Sequence, residues 1–77
     1  MNKQRREKLN ELMEEIETIR GEIELLRDEE QDYLDNMPES IQSGEKGDRA
    51  QEAIDALEAA MDSLEEASGN IEDAVEA

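Results

Sequence analysis

Residues 9–37 read LNELMEEIETIRGEIELLRDEEQDYLDNM, and the spacing of the apolar residues in this stretch decides the fold. Apolar side chains recur at alternating steps of three and four residues, the heptad pattern of helices packed side by side. With the heptad columns lettered a to g, column a holds Leu9, Ile16, Ile23, Glu30 and Met37, and column d holds Leu12, Ile19, Leu26 and Tyr33. The stretch predicts a first helix over about residues 3–36, with columns a and d facing inward.

A second heptad stretch predicts a second helix over about residues 48–76. Its column a holds Ile54, Met61, Ser68 and Val75, and its column d holds Ala50, Leu57, Leu64 and Ile71. Every g position is alanine: Ala53, Ala60, Ala67 and Ala74. Asp48 is the expected N-cap. The run Ser68-Gly69-Asn70 leaves open whether the helix kinks or restarts there.

The connector, about residues 37–47, contains Pro38, Gly44 and Gly47. Pro38 disfavours continuation of the first helix and can open one short helical turn through Gln42. A short connector makes the two helices antiparallel neighbours. The predicted fold is therefore all-α, an antiparallel two-helix coiled-coil hairpin in one domain, residues 1–77. Because so short a chain buries little core, a dimer forming a four-helix bundle stays open.

Column e supports the antiparallel pairing. Arg27 opposite Glu58 and Arg20 opposite Glu65 give one constant register, which would also bring Leu26 near Leu57 and Ile19 near Leu64. Two further residues, Tyr33 and Ile41, are expected to close the end of the core.

Glu30 and the basic residues near the N-terminus each have two interpretations. Glu30 either reaches water, Lys46 or Arg49 where packing loosens, or fixes the register as a polar core residue. The basic residues Lys3, Arg5, Arg6 and Lys8 either form a short nucleic-acid-binding patch or, as we expect, relieve repulsion against the acidic end of the second helix.

Charge is the strongest compositional signal. The chain has 24 acidic and 8 basic residues, a net charge of −16, and neither Cys nor His. The absence of Cys removes a thiolate nucleophile, and the absence of His removes the commonest general base and the commonest transition-metal ligand. We therefore expect no enzyme activity, no metal site and no cofactor. A chain this acidic is repelled by nucleic acid and by anionic lipid, so we expect a protein partner with a basic surface. With neither a membrane-spanning run nor an apolar leader, the expected location is the cytoplasm.

One face of the second helix is the candidate binding surface. From Ala50 to Ala77 the chain has nine acidic residues and no basic one. The residues proposed for the acidic face are Glu52, Asp55, Glu58, Asp62, Glu65, Glu66, Asp73 and Glu76. Rows of carboxylates about 5–6 Å apart on a helix can imitate nucleic-acid phosphates. Such a face predicts an inhibitor that mimics nucleic acid and binds a DNA- or RNA-binding protein. The alternative is a structural module or adaptor that self-associates or docks a partner helix on the alanine column g.

The segments Met1-Asn2-Lys3-Gln4-Arg5-Arg6 and Asp35-Asn36-Met37-Pro38-Glu39-Ser40 carry a resemblance to a group of known proteins. The chain resembles small acidic coiled-coil proteins of bacterial phages and integrative elements. That resemblance implies a mobile-element origin in a bacterial host. It also implies a candidate role among inhibitors of host defences such as CRISPR effectors, and it assigns no functional residues.

Overall fold

The computed structural model describes residues 1–77 as three helices without strands. The elements are α1 (Lys3–Asp35), α2 (Glu39–Gln42) and α3 (Glu45–Glu76). The two long helices pack side by side, and the molecule measures 58 × 15 × 11 Å. The prediction of an all-helical protein with two long packed helices is confirmed.

Local signals set both ends of α1. The Asn2 side chain caps the helix by accepting a 2.8 Å hydrogen bond from the Arg5 N–H. At the other end, the Asn36 N–H still donates to the Asp32 carbonyl at 3.0 Å. Pro38 follows two residues later and cannot extend the helical hydrogen bonding. The helix therefore ends at Asp35, one residue before the expected end.

The connector forms the short helical turn that Pro38 predicts. The Pro38 carbonyl accepts hydrogen bonds from the Ile41 and Gln42 N–H groups, both at 2.9 Å. The Gln42 side-chain amide then donates to the Leu34 carbonyl at 3.0 Å. This hydrogen bond ties α2 to the last turn of α1.

The start of α3 differs from the prediction. The helix begins at Glu45, with Gly44 as its N-cap in an extended conformation, φ −102° and ψ −164°. The Asp48 N–H donates to the Gly44 carbonyl at 3.0 Å, so Asp48 lies inside the first turn. The assignment of Asp48 as N-cap is wrong because Gly44 is the N-cap, and the helix begins at Glu45, three residues before the expected start.

Gly47 makes this short connector sterically feasible. It is buried, and a Cβ at this position would overlap the Gln42 carbonyl. The backbone of α2 therefore lies directly against the first turn of α3, where only glycine fits.

The helix α3 passes through Ser68-Gly69-Asn70 without interruption. A glycine inside a helix costs about 1 kcal/mol relative to alanine, which is too little to break a packed helix. The half-buried neighbours Ser68 and Ile71 keep this segment against α1.

The core is concentrated at the connector end. Leu34, Ala50 and Ile54 form a buried cluster with Met37 packed against it, and Ile54 is only 1% exposed. Met61 is the one further buried hydrophobic residue. The expectation that Tyr33 and Ile41 close this core is wrong, because both are exposed and Leu34 and Met37 fill that place.

Candidate interaction surfaces

The inner side of α3 follows the predicted heptad columns. Ala50, Ile54 and Met61 are buried, and the other predicted members of columns a and d are half-buried. They are Leu57, Leu64, Ser68, Ile71 and Val75. Columns a and d of α3 therefore face α1, as the sequence predicts.

The inner side of α1 is rotated from the predicted one. The buried and half-buried residues that recur at alternating steps of three and four, and so form one line along the helix, belong to columns a and e. They are Leu9, Met13, Ile16, Arg20, Ile23, Arg27, Glu30, Leu34 and Met37. Column d lies beside this line, where Ile19 is 47%, Leu26 is 56% and Tyr33 is 53% exposed. The assignment of column d to the core of α1 is wrong for Ile19, Leu26 and Tyr33, whereas Leu12 is half-buried.

Two arginines bring column e of α1 toward α3. The Arg27 Nη1 lies 3.3 Å from a Glu58 carboxylate oxygen, and an Arg20 Nη2 lies 3.7 Å from Glu65. Both predicted ion pairs are confirmed, and they match residues of α1 and α3 in opposite chain order. Both arginine side chains are about three-quarters covered, so their aliphatic stems pack in the interface while their charged ends reach the rim.

Arg27 is the most strongly held cation in the molecule. Its Nε donates to Asp28 at 2.8 Å, and Glu24 lies 3.9 Å from its guanidinium. The hydrogen bond to Asp28, with the charge of Asp28 and the contact with Glu58, raises the pKa of Arg27. The guanidinium is therefore charged at every pH at which the protein is studied, and it acts as a fixed positive charge. The Arg20 Nε, in contrast, is buried without a hydrogen-bond partner.

Three of the six remaining cations form local pairs. Lys3 lies 4.0 Å from Glu7, and Lys8 lies 3.6 Å from Glu11, both within α1. The expected action of the N-terminal cations on the acidic end of α3 is therefore not carried by an ion pair. Glu30 is half-buried on the inner line of α1 and pairs with neither Lys46 nor Arg49. Arg49 pairs with Glu45 instead, at 2.6 Å.

The acidic face of α3, as defined by its eight carboxylates from Glu52 to Glu76, is fully presented to solvent. All eight side chains are exposed. Glu58 and Glu65 meet the two interface arginines, and the Gln51 amide donates to Asp55 at 2.9 Å. Apart from Glu58 and Glu65, the six remaining carboxylates, Asp55 among them, have no ion-pair partner. The face therefore keeps most of its negative charge uncompensated.

The acids of α3 are segregated around the helix. They occupy columns b, e and f, while columns c and g contain none. Column g holds Lys46 and then the four alanines, all four of which are half-buried. Column c holds Arg49, Ala56, Ser63 and Asn70. One side of α3 is thus acidic, and the side beyond the alanines is neutral or basic.

Two surface depressions show which columns share a side of the helix pair. Arg20, Glu24, Arg27, Glu58 and Asp62 line one depression on the charged side. Tyr33, Met37, Ile41 and Lys46 line another at the connector end, where Tyr33 of column d lies near Lys46 of column g. Because the ion pairs place the two e columns on one side of the antiparallel pair, column d of α1 and column g of α3 share the opposite side. We call this second side the apolar flank, defined by Leu12, Ile19, Leu26 and Tyr33 of α1 with Ala53, Ala60, Ala67 and Ala74 of α3.

A third depression is lined by residues of α1 alone, mostly glutamates between Glu11 and Glu22. No three Asp or Glu side chains converge in a way that could hold a metal ion. None of the helices combines the length and apolar composition that crossing a bilayer requires.

Comparison with known proteins yields no relative. The sequence matches no family model, and neither a curated protein nor a solved structure matches the chain. A functional conclusion must therefore rest on the two surfaces described above.

Proposed function

We propose that this chain is a non-enzymatic, acidic binding protein that mimics nucleic acid and occupies the basic surface of a DNA- or RNA-binding protein. In this proposal the helix pair is an antiparallel coiled-coil hairpin that serves as a rigid support for the acidic face. A bacterial host defence effector of the CRISPR type, met in the cytoplasm, is the partner class that the resemblance suggests.

The observation that carries the proposal is the segregation of uncompensated charge on α3. An ordinary exposed helix mixes Glu with Lys or Arg, which keeps local fields small. Here the exposed carboxylates of columns b, e and f continue from Glu45 to Glu76, and Arg49 is the only residue of α3 that pairs with one of them. Arg27 and Arg20 of α1 pair with Glu58 and Glu65, and the rest of the row has no counter-ion. Successive acids three or four residues apart are separated by about 5–6 Å, on the scale of phosphates along one strand. A basic groove built for a phosphate backbone meets a similar row of charges here.

The test removes charge from the acidic face without disturbing the inner line. A triple variant, Asp55→Asn, Asp62→Asn and Glu66→Gln, changes three exposed residues that form no ion pair. The immobilised chain would be used to capture proteins from the host lysate at low and high salt, with duplex DNA as competitor. We expect capture of a basic nucleic-acid-binding protein that DNA and salt both displace. We expect the triple variant to bind at least about tenfold more weakly, about 1.4 kcal/mol.

A matched control distinguishes the face from net charge. Glu14→Gln, Glu17→Gln and Asp32→Asn remove the same number of charges from exposed positions of α1 that also form no ion pair. The control should bind like the parent chain. Equal binding by the parent and the α3 variant would rule out the acidic face as the binding surface.

A structural module or adaptor is the second candidate function. It is favoured by the exposure of Ile19, Leu26 and Tyr33 beside the alanines of α3. An apolar surface of this kind associates through burial of apolar area, so its binding tolerates salt. The two candidates use different sides of the molecule and are compatible with one another.

A further inference from the structure

Three of the six exposed large hydrophobic residues of the chain lie on the apolar flank. Ile19, Leu26 and Tyr33 are each about half exposed and recur every seven residues, so they form a straight ridge along α1. Leu25 is 66% exposed in column c, on the far side of the glutamates that border this ridge. Contiguous apolar surface of this kind on a small protein marks an interaction site.

The accessible surface area of the chain can be compared with the area that a dimer interface buries. The chain exposes 5680 Å² for a mass of 8.8 kDa. The scaling of surface with mass for folded monomers gives roughly 4,800 Å², which leaves an excess of roughly 900 Å². A standard interface buries about 800 Å² on each partner. A helix pair of 58 × 15 × 11 Å exposes more surface than a compact monomer of its mass, and the excess is comparable to what one copy contributes to a standard interface.

The charges around the flank permit a second copy in one arrangement. The ridge on α1 is bordered by Glu15, Glu22 and Glu29. If two α1 ridges met, these glutamates would face their counterparts, which is destabilising. The alanines of α3 are instead bordered by column c, which is free of acids and begins with Arg49. The acidic border of α1 therefore matches only the α3 side of another copy.

Shape leads to the same arrangement. The ridge on α1 consists of large side chains, and the facing column of α3 consists of alanines whose small size lets a neighbouring helix approach closely. A twofold axis parallel to the helices sets the α1 ridge of each copy on the alanine column of the other. Each contact then occurs twice, as twofold symmetry requires.

We propose that the apolar flank binds a second copy of this chain, forming a four-helix dimer in which the α1 ridge of one copy packs on the α3 alanine column of the other. This inference rests on self-association, the second candidate function, and is independent of the acidic face. In the dimer both acidic faces stay outward, because columns b, e and f of α3 lie away from the flank.

The test exploits two adjacent alanines on α3. Ala60 lies on the flank and is half-buried, whereas Ala59 is exposed on column f. Ala60→Glu and Ala59→Glu add the same side chain and the same charge one residue apart. Sedimentation equilibrium of the full chain should give twice the chain mass for the parent and for Ala59→Glu, and one chain mass for Ala60→Glu. Leu26→Gln, which adds no charge, should also give one chain mass while circular dichroism shows the helices intact.

Salt separates this association from binding by the acidic face. Because each copy has a net charge of −16, screening should strengthen the dimer, whereas it should weaken binding to a basic partner. A parent chain that stays monomeric at high salt and high concentration would overturn the dimer and leave the acidic-face proposal intact.

Cysteine pairs test the arrangement, since the chain has no cysteine of its own. In the proposed dimer the Leu26 position of one copy lies near the Ala60 position of the other. A mixture of Leu26→Cys and Ala60→Cys chains should form a disulfide-linked species of two chains under mild oxidation. Each variant alone should form far less of it. A dimer in which Leu26→Cys chains crosslink with one another and not with Ala60→Cys chains would overturn the ridge-on-alanine packing.

Discussion

The two ends of the helix pair are held together differently. At the connector end, Leu34, Ala50 and Ile54 are buried and α2 lies against the first turn of α3. Toward the termini, Leu64, Ile71 and Val75 are only half-buried against α1. The connector end is therefore the place where three helices, α1, α2 and α3, pack together. The remainder of the pair relies on partly exposed contacts and on ion pairs.

The largest expected effect comes from truncating an isoleucine at each end. Ile54→Ala removes a side chain that is 1% exposed, and the cavity it leaves should cost about 2–5 kcal/mol of unfolding free energy. Ile71→Ala removes the same atoms from a half-buried position, where water fills the space, and should cost about 1–2 kcal/mol. Urea unfolding of both variants at one protein concentration measures the difference. Equal losses would show that the connector end has no special packing.

The sequence predicts the helices well because helix formation depends on local patterns. Apolar periodicity alone places α1 within a residue at either end, and Pro38 predicts both the end of α1 and the turn of α2. The start of α3 was missed because Asp48 resembles an N-cap by residue type. The role of Gly47 depends instead on the approach of α2, which is a tertiary contact that local spacing does not encode.

The inner line of α1 could not be predicted from apolar spacing alone. Apolar residues fill columns a and d and part of column e, a stripe wider than one neighbouring helix can cover. The choice between d and e depends on α3, whose glutamates at 58 and 65 attract the arginines of column e. A signal was present in Met13 and Leu34, both apolar residues in column e, together with the aliphatic stems of Arg20 and Arg27. The acidic face needed no such choice, since exposed acids were predicted by charge alone.

The next largest effect is a pair of glycine-to-alanine substitutions with opposite signs. Gly47→Ala adds a Cβ that overlaps the Gln42 backbone, so we expect a loss of about 1–3 kcal/mol. Gly69→Ala adds a Cβ with no atom within 4 Å and improves helix propensity, so we expect a gain of about 1 kcal/mol. Thermal unfolding followed by circular dichroism gives both signs. A stabilised Gly47→Ala variant would mean that α2 does not rest on α3.

The smallest expected effect concerns one hydrogen bond at the connector. Gln42→Ala removes the 3.0 Å bond from the side-chain amide to the Leu34 carbonyl, which is partly buried. That carbonyl keeps its bond from the Met37 N–H at 3.1 Å, so the loss should be about 1 kcal/mol and not the full cost of an unsatisfied group.

Gln51→Ala is the matched control, because Gln51 donates a 2.9 Å bond to Asp55 on the exposed surface of α3. An exposed bond four residues apart on one helix should be worth about 0.2–0.5 kcal/mol. Amide hydrogen exchange adds a local measurement at the Ile41 and Gln42 N–H groups, which donate to the Pro38 carbonyl. Gln42→Ala should speed the exchange of these amides, and Gln51→Ala should not. If both variants left those amides equally protected, the backbone contact at Gly47 alone would hold α2 in place. The side chain of Gln42 would then add nothing to the stability of the connector end.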